Sequence, residues 1–215
     1  MKRIILALDV NDRDRAMQLV RAVSPWVDIV KVGPIVFLTE GPDIVRRIRD
    51  AGKEVFLDLK LHDIPATVQR AVESAARIGV YSMTLHSSGG KDMIAAAASA
   101  ADRPRLWAVT VLTSQNADPD EVVRRATLAK NAGADGVIVS PLEAALVKRA
   151  CGKDFIVVTP GIRSATDAVN DQKRIATPKG AIDAGADFIV VGRPIIEAPD
   201  PAKAAESIAH EIGEE

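Results

Sequence analysis

The sequence contains few aromatic residues and almost no net charge. Aromatic side chains make up 3% of the 215 residues, so the platforms on which single-stranded nucleic acids stack are nearly absent. The 28 basic and 29 acidic side chains leave a formal charge of -1, which is too small to attract a phosphate backbone or an anionic membrane. We therefore expect no binding to nucleic acid or membrane, and an anionic ligand would need a local site.

Cysteine and long apolar runs are also scarce. Cys151 has no second cysteine with which to form an intramolecular disulfide, which is usual for a reducing cytoplasm, and we interpret it as a small buried side chain. The apolar run at residues 4–8 ends at Asp9 and is too short for a signal peptide or a membrane span. The expected location is the cytoplasm.

The remaining composition is that of one globular domain. Hydrophobic residues make up 47% of the chain and charged residues 27%, a balance that supplies a sizeable core. A chain of 215 residues favours one large domain over two small ones. Because no linker or low-complexity stretch divides it, we expect a single domain over residues 1–215.

Eight short apolar runs alternate with segments of helical periodicity. The runs are almost continuously apolar, as at residues 188–191 (FIVV), which is typical of parallel strands covered by helices. The motif AGAD occurs twice, at residues 132–135 and 184–187, each time between a helix and a strand. Strands are predicted near residues 4–9, 27–32, 54–59, 81–86, 106–111, 135–140, 154–159 and 187–192, and helices near residues 12–22, 35–51, 65–78, 90–101, 119–132, 141–150, 177–184 and 201–212.

Eight strand–helix units fit either a closed barrel or an open, doubly wound sheet. The glycine-rich motifs G-x-G-x-x-G and G-x-x-x-x-G-K-[ST], which are typical of open nucleotide-binding sheets, do not occur. We therefore predict an α/β fold that is a single-domain (β/α)8 TIM barrel, with its active site at the C-terminal ends of the strands. The longest irregular segment, near residues 160–176, follows the seventh strand, and a loop of that length is usually functional.

Charged residues are densest at the end of the third strand. Asp58 and Lys60 share one face of that strand because side chains alternate. With Lys31 and Asp63 they would place two ammonium and two carboxylate groups in one site. Such an array suits a reaction in which negative charge moves, because a fixed ammonium group stabilises a developing anion. The alternative is a structural ion-pair network in which Asp63 caps the next helix.

A second polar cluster follows the last two strands. Gly192 and Arg193 come directly after the eighth strand, where such barrels commonly bind phosphate. Arg163 and Gln172, in the long preceding loop, could cover the same phosphate as part of a lid. An ordinary polar loop is the alternative. The three histidines lack metal-ligand spacing, so we predict no metal site.

Residues 58–65 (DLKLHDIP) resemble the D-x-K-x-x-D-I-P signature of the orotidine 5′-phosphate decarboxylase family. The resemblance implies a (β/α)8 barrel that converts orotidine 5′-monophosphate to UMP in pyrimidine biosynthesis, with no cofactor and no metal. It extends in the same order over essentially the whole chain, through residues 7–9 (ALD), 30–33 (VKVG), 111–114 (VLTS), 159–163 (TPGIR) and 191–195 (VGRPI).

The resemblance also implies the catalytic roles. Lys60 would stabilise and then protonate the C6 carbanion that remains when carbon dioxide departs. Asp58 would press against the substrate carboxylate and help to hold Lys60. Asp63 and Thr67 would reach across a homodimer interface into the neighbouring active site.

Substrate contacts are implied along the remaining strand ends. The residues expected to hold the ribose, the pyrimidine and the phosphate are Asp9, Lys31, Ile64, Thr113 or Ser114, Pro160, Gly161, Arg163, Gln172, Gly192 and Arg193.

Two other functions remain open. Magnesium-dependent relatives, namely keto-gulonate-phosphate decarboxylases and hexulose-phosphate synthases, share the D-x-K-x-x-D core but place a glutamate on the second strand, where this chain has Lys31. A barrel that only binds phosphorylated ligands would keep Gly192 and Arg193 but would not need the charged array.

Overall fold

Eight parallel strands form the centre of the structure, a computed structural model that describes residues 1–162 and 176–214. Each strand follows one of the apolar runs of the sequence. The strands are β1 (Ile4–Ala7), β2 (Ile29–Val32), β3 (Glu54–Leu61), β4 (Ser82–His86), β5 (Arg105–Val109), β6 (Gly136–Ile138), β7 (Ile156–Thr159) and β8 (Phe188–Val191).

The strands pair in chain order and close into a barrel, because β8 also pairs with β1. In this last pairing Ile5 lies opposite Val190 and Leu6 lies opposite Val191. The predicted (β/α)8 fold is therefore confirmed, and so is the position of every predicted strand. Four strands, β1, β5, β6 and β8, end one or two residues earlier than predicted, whereas β3 extends further, to Leu61.

The helices surround the barrel. Four of them begin at a side-chain cap, in which Asp12, Asp118, Thr177 or Asp200 accepts a backbone N–H of the first turn. Within the described residues, no helix is both long and apolar enough to cross a membrane. The helices are α1 (Arg13–Ala22), α2 (Pro34–Glu40), α3 (Pro42–Asp50), α4 (Pro65–Arg77), α5 (Gly90–Ala98), α6 (Pro119–Asn131), α7 (Ala144–Cys151), α8 (Pro178–Asp183), α9 (Arg193–Ile196) and α10 (Pro201–Glu211).

The prediction of one helix over residues 35–51 is wrong. Gly41 adopts a left-handed φ of 60°, and Pro42 has no N–H with which to continue the hydrogen-bond ladder. The segment therefore divides into α2 and α3. Two smaller differences are a 3-10 turn, Pro141–Glu143, at the start of the predicted helix 141–150, and the short helix α9, which periodicity did not predict.

The apolar side chains form two layers. The outer layer, which includes Leu6, Val30 and Val157, packs between the strands and the helices. The inner layer fills the barrel, where Phe56 meets the fully buried Trp107 edge to face at 4.6 Å between ring centroids. The barrel is therefore a packed support and not a pore.

Two aspartate residues make hydrogen bonds to a neighbouring strand at the end of the barrel where the strands begin. Asp135, the last residue of the first AGAD motif, donates its N–H to the carbonyl of Leu106 and accepts the N–H of Leu106 at 2.7 Å. Asp187, in the second motif, makes the same two bonds with Val157, again accepting its N–H at 2.7 Å. In each copy of the motif, the aspartate thus satisfies both backbone polar groups, the N–H and the carbonyl, of one residue in the preceding strand.

We predict that Asp187→Ala lowers the free energy of unfolding by about 1–3 kcal/mol, because it leaves the Val157 N–H and the Lys148 ammonium without this acceptor. Urea denaturation measures the change. Asp183→Ala is the control: among the described residues Asp183 forms an exposed ion pair with Lys179 on α8 and no other, so its loss should change the stability by less than about 0.5 kcal/mol. Equal effects of the two substitutions would contradict the role of the motif.

Candidate active site

A cavity of about 510 Å³ opens at the C-terminal ends of the strands. This is the end at which such barrels carry their chemistry. Its floor is apolar, formed by inner-layer side chains such as Phe56 and Val190. The predicted site residues that line it are Asp9, Lys31, Asp58, Lys60, Thr113, Pro160, Gly161, Gly192 and Arg193.

Four charged side chains from β2, β3 and the end of β1 meet on one wall of the cavity. The Lys31 ammonium lies 3.1 Å from an Asp9 carboxylate oxygen and 3.6 Å from Oδ2 of Asp58. The Lys60 ammonium donates to the same Asp58 oxygen at 2.8 Å. We call these residues, Asp9, Lys31, Asp58 and Lys60, the charged array.

The middle of the array is shielded from water and its rim is open. The side chains of Lys31 and Asp58 are each 11% exposed, whereas Lys60 is 36% exposed. Gly33 lies behind the array, and a Cβ there would come within 3.1 Å of the Lys31 ammonium. The glycine therefore leaves the space in which Lys31 meets Asp9.

The array keeps Asp58 ionised. Burial raises the pKa of this carboxyl, but the positive charges of Lys31 and Lys60 and the hydrogen bonds from Lys60 and Thr84 outweigh burial, so the pKa lies below its ordinary value. A fixed negative charge therefore stands beside two fixed positive charges at neutral pH. Any further anionic group placed against Asp58 would be repelled by it and attracted by the ammonium groups.

Asp63 does not join the array within one chain, and the second carboxylate is that of Asp9. Asp63 is exposed and accepts the N–H of Ile64 at 2.6 Å. The alternative, that Asp63 caps the third predicted helix, is also wrong, because α4 begins at Pro65 with Ile64 at the cap position and no side-chain cap. Thr67, on α4, is likewise exposed.

The other predicted substrate contacts differ in where they lie. Thr113 lines the cavity, whereas Ser114 is exposed and lies outside its wall. Ile64 is 66% exposed and also lies outside it. Arg163 and Gln172 lie outside the described residues.

Sequence reasoning missed two polar residues of the site. Glu197 follows α9 and lines the cavity near Arg193. Thr84, on β4, donates its hydroxyl to Asp58 at 2.9 Å and is fully buried. A polar residue in the middle of the apolar fourth strand was the available signal for Thr84.

The histidines next to the array do not line the cavity. The ring centroids of His62 and His86 lie 5.7 Å apart at the end of β4. Burial lowers the pKa of His86, and the nearby His62, Lys60 and Arg125 lower it further. Its imidazole is therefore neutral at pH 7 and adds no charge to the array.

The arrangement suits stabilisation of a carbanion next to a departing anionic group. Lys60 is the more accessible of the two ammonium groups and faces the cavity. Arg193, also on the cavity wall, is suited to bind a phosphate. Among residues 1–162 and 176–214, no three His, Cys, Asp or Glu side chains are placed to hold a metal ion.

We predict that Asp58 makes the stability of the protein depend on pH. Its pKa is lower in the folded state than the value of about 3.9 in an unfolded chain. Its contribution is therefore present above that pH and is lost as the pH falls through the folded pKa. The unfolding free energy of the wild type minus that of Asp58→Asn should decrease as the pH falls from about 5 to about 3, as measured by urea denaturation. A difference that stays constant or increases as the pH falls would contradict the lowered pKa of Asp58.

Comparisons with known proteins agree with this geometry. The family model described as "Orotidine 5'-phosphate decarboxylase / HUMPS family" matches residues 2–208. Proteins named orotidine 5′-phosphate decarboxylase from Geotalea daltonii and Geobacter metallireducens are each 46% identical to the chain, covering 98% of it and 95% and 96% of their own lengths.

A solved structure shares the fold over the same length. The crystal structure of orotidine 5′-phosphate decarboxylase from Lactobacillus acidophilus superimposes with a TM-score of 0.84 at 37% identity, covering 99% of this chain and all of the other (100%). The family match spans every strand of the barrel and all four residues of the charged array. The chain belongs to the orotidine 5′-phosphate decarboxylase / HUMPS family.

Proposed function

We propose that the protein decarboxylates orotidine 5′-monophosphate to UMP in the cytoplasm, as the last step of pyrimidine nucleotide synthesis, without a metal or cofactor. The observation that carries this proposal is the Asp58 carboxylate, which is buried between two lysine ammonium groups on a cavity that also holds Arg193. The 46% identity to proteins that bear this name supports the same activity.

The proposed chemical step uses Asp58 and Lys60, the oppositely charged residues of β3. The substrate carboxylate lies against Asp58, and repulsion between the two anions is relieved when the bond from C6 to the carboxyl carbon breaks. Carbon dioxide leaves, and the electron pair remains on C6. The Lys60 ammonium stabilises this carbanion and then transfers a proton to C6, which completes UMP.

The rest of the nucleotide is held by polar contacts on both sides of the array. Asp9 and Lys31 bind ribose hydroxyls, and Thr113, which follows β5, contacts the pyrimidine. Gly192 and Arg193 bind the phosphate, together with Gln172 and Arg163, which lie outside the described residues. Pro160 and Gly161, directly after β7, line the cavity. Binding energy from the phosphate then contributes to the reaction at C6.

The active enzyme is a homodimer in this proposal. Asp63, Ile64 and Thr67 form an exposed strip beside the cavity mouth and do not line the cavity of their own chain. On α2, Leu38 is 83% and Ile35 is 47% exposed, and an interface between subunits would remove such apolar side chains from water. Asp63 and Thr67 then act in the neighbouring site.

The magnesium-dependent reaction of other family members is less well supported. Those relatives place a glutamate on the second strand, whereas here Lys31 sits 3.6 Å from Asp58. An ammonium group at this distance neutralises the carboxylate and repels a divalent cation.

We expect the purified protein to form UMP from orotidine 5′-monophosphate in the presence of EDTA, as followed by chromatography of the two nucleotides. Lys60→Ala should lower turnover by about a hundredfold or more, because the proton donor is lost, while calorimetry still detects UMP binding. Lys179→Ala, an exposed lysine on α8, is the control and should keep full activity.

Turnover only with added magnesium, or activity on sugar phosphates alone, would overturn the proposed function. A near-normal rate for Lys60→Ala would show that another group donates the proton.

Subunit mixing tests the shared site. Lys60→Ala and Asp63→Ala should each be inactive alone, since each removes one member of every site. A mixed dimer contains one intact site, made of Lys60 from one subunit and Asp63 from the other. After refolding an equal mixture, we expect about a quarter of the wild-type activity, because half of the dimers are mixed and each has one working site. No recovery, or a monomer in sedimentation analysis, would contradict the proposal.

A further inference from the structure

The β3 backbone is irregular where the charged array lies. Leu57 pairs with Met83 and Leu61 pairs with Leu85, so β3 carries more residues than β4 over the same stretch. Asp58 and Lys60 both lie in this bulge. Lys60 also has a φ of 50°, a left-handed conformation that is unfavourable for a residue with a Cβ and that persists only where the surroundings hold it.

A bulge leaves backbone groups without their regular strand partners, and Thr84 supplies the missing acceptor. The Thr84 hydroxyl oxygen accepts the N–H of Lys60 at 2.9 Å. Its single proton is then available for Asp58, whose Oδ1 accepts it at 2.9 Å. The direction of both bonds is fixed, because a backbone N–H only donates and an ionised carboxylate only accepts.

These bonds connect both ends of Lys60 to one carboxylate. The Lys60 ammonium binds Oδ2 of Asp58 directly, and the Lys60 backbone binds Oδ1 through Thr84. With Oδ1 occupied, Oδ2 remains directed towards Lys31 and Lys60. Thr84 has no exposed surface, so bulk water does not replace its hydroxyl.

We propose that Thr84 is a positioning residue for the decarboxylation: its hydroxyl holds the Lys60 backbone in the left-handed conformation and fixes the orientation of the Asp58 carboxylate. This inference rests on the proposed function. Thr84 does not line the cavity, whereas the residues proposed to hold the ribose and phosphate lie on other strands. Its hydroxyl should therefore affect the chemical step more than substrate binding.

The test compares Thr84→Val, which keeps the shape and removes the hydroxyl, with Thr84→Ser, which keeps the hydroxyl. We expect kcat to fall about tenfold or more in Thr84→Val with KM changed less than about threefold, because displacing reacting groups costs rate. Thr84→Ser should restore kcat to within about threefold of wild type.

Ser82→Ala is the matched control. Ser82 lies two positions earlier on β4, is fully buried, and its hydroxyl has no hydrogen-bond partner in the part of the chain that the structure describes. It should leave kcat and KM within about twofold of wild type. If circular dichroism shows that Thr84→Val does not fold, Thr84→Ala replaces it with the same expected loss of kcat.

The wild type is assayed first, so that failure of the proposed function is separated from failure of this inference. An inactive wild type would overturn the proposed function. If the wild type is active, any of three results would overturn the positioning role of Thr84. These are full kcat in Thr84→Val, equal losses of kcat in Thr84→Val and Thr84→Ser, or an effect of Thr84→Val on KM alone.

Discussion

The contact between Asp58 and two lysine ammonium groups determines how the rest of the site is arranged. Charges removed from water are costly unless they are paired and hydrogen-bonded, and here both oxygens of one carboxylate have partners. The arrangement needs β2, β3 and β4 side by side with their C-terminal ends aligned. The barrel provides that alignment, and its apolar filling provides a rigid floor beneath the charges.

Most of this arrangement could be predicted because of one geometric rule. In a parallel barrel the C-terminal ends of all strands meet at the same edge. Polar residues that directly follow apolar runs therefore converge, whatever their separation along the chain. Asp9, Lys31, Asp58, Lys60 and Arg193 all lie near or just after the C-terminal end of a strand, and all five line the cavity.

Two kinds of feature could not be predicted from the sequence, namely those that depend on local backbone geometry and those that would involve a second subunit. The bulge in β3 changes the alternation on which the same-face argument for Asp58 and Lys60 relied, and the role of Thr84 follows only from that bulge. Asp63 lies after the bulge, where the strand periodicity no longer applies, and it turns outward. The division between α2 and α3 was visible as Gly41-Pro42, but the apolar periodicity continued across it.

The pairing of β8 with β1 joins the two ends of the chain. It places Gly192 beside Ala7 and Asp9. A Cβ added at Gly192 would lie 3.4 Å from Cβ of Ala7. All four residues of the charged array lie within the first 60 residues, yet the wall that carries Arg193 is supplied only after β8. During synthesis on the ribosome, the lysines and aspartates of the array therefore emerge long before the cavity that surrounds them is complete, and its wall closes within one chain only when the last strand pairs with the first.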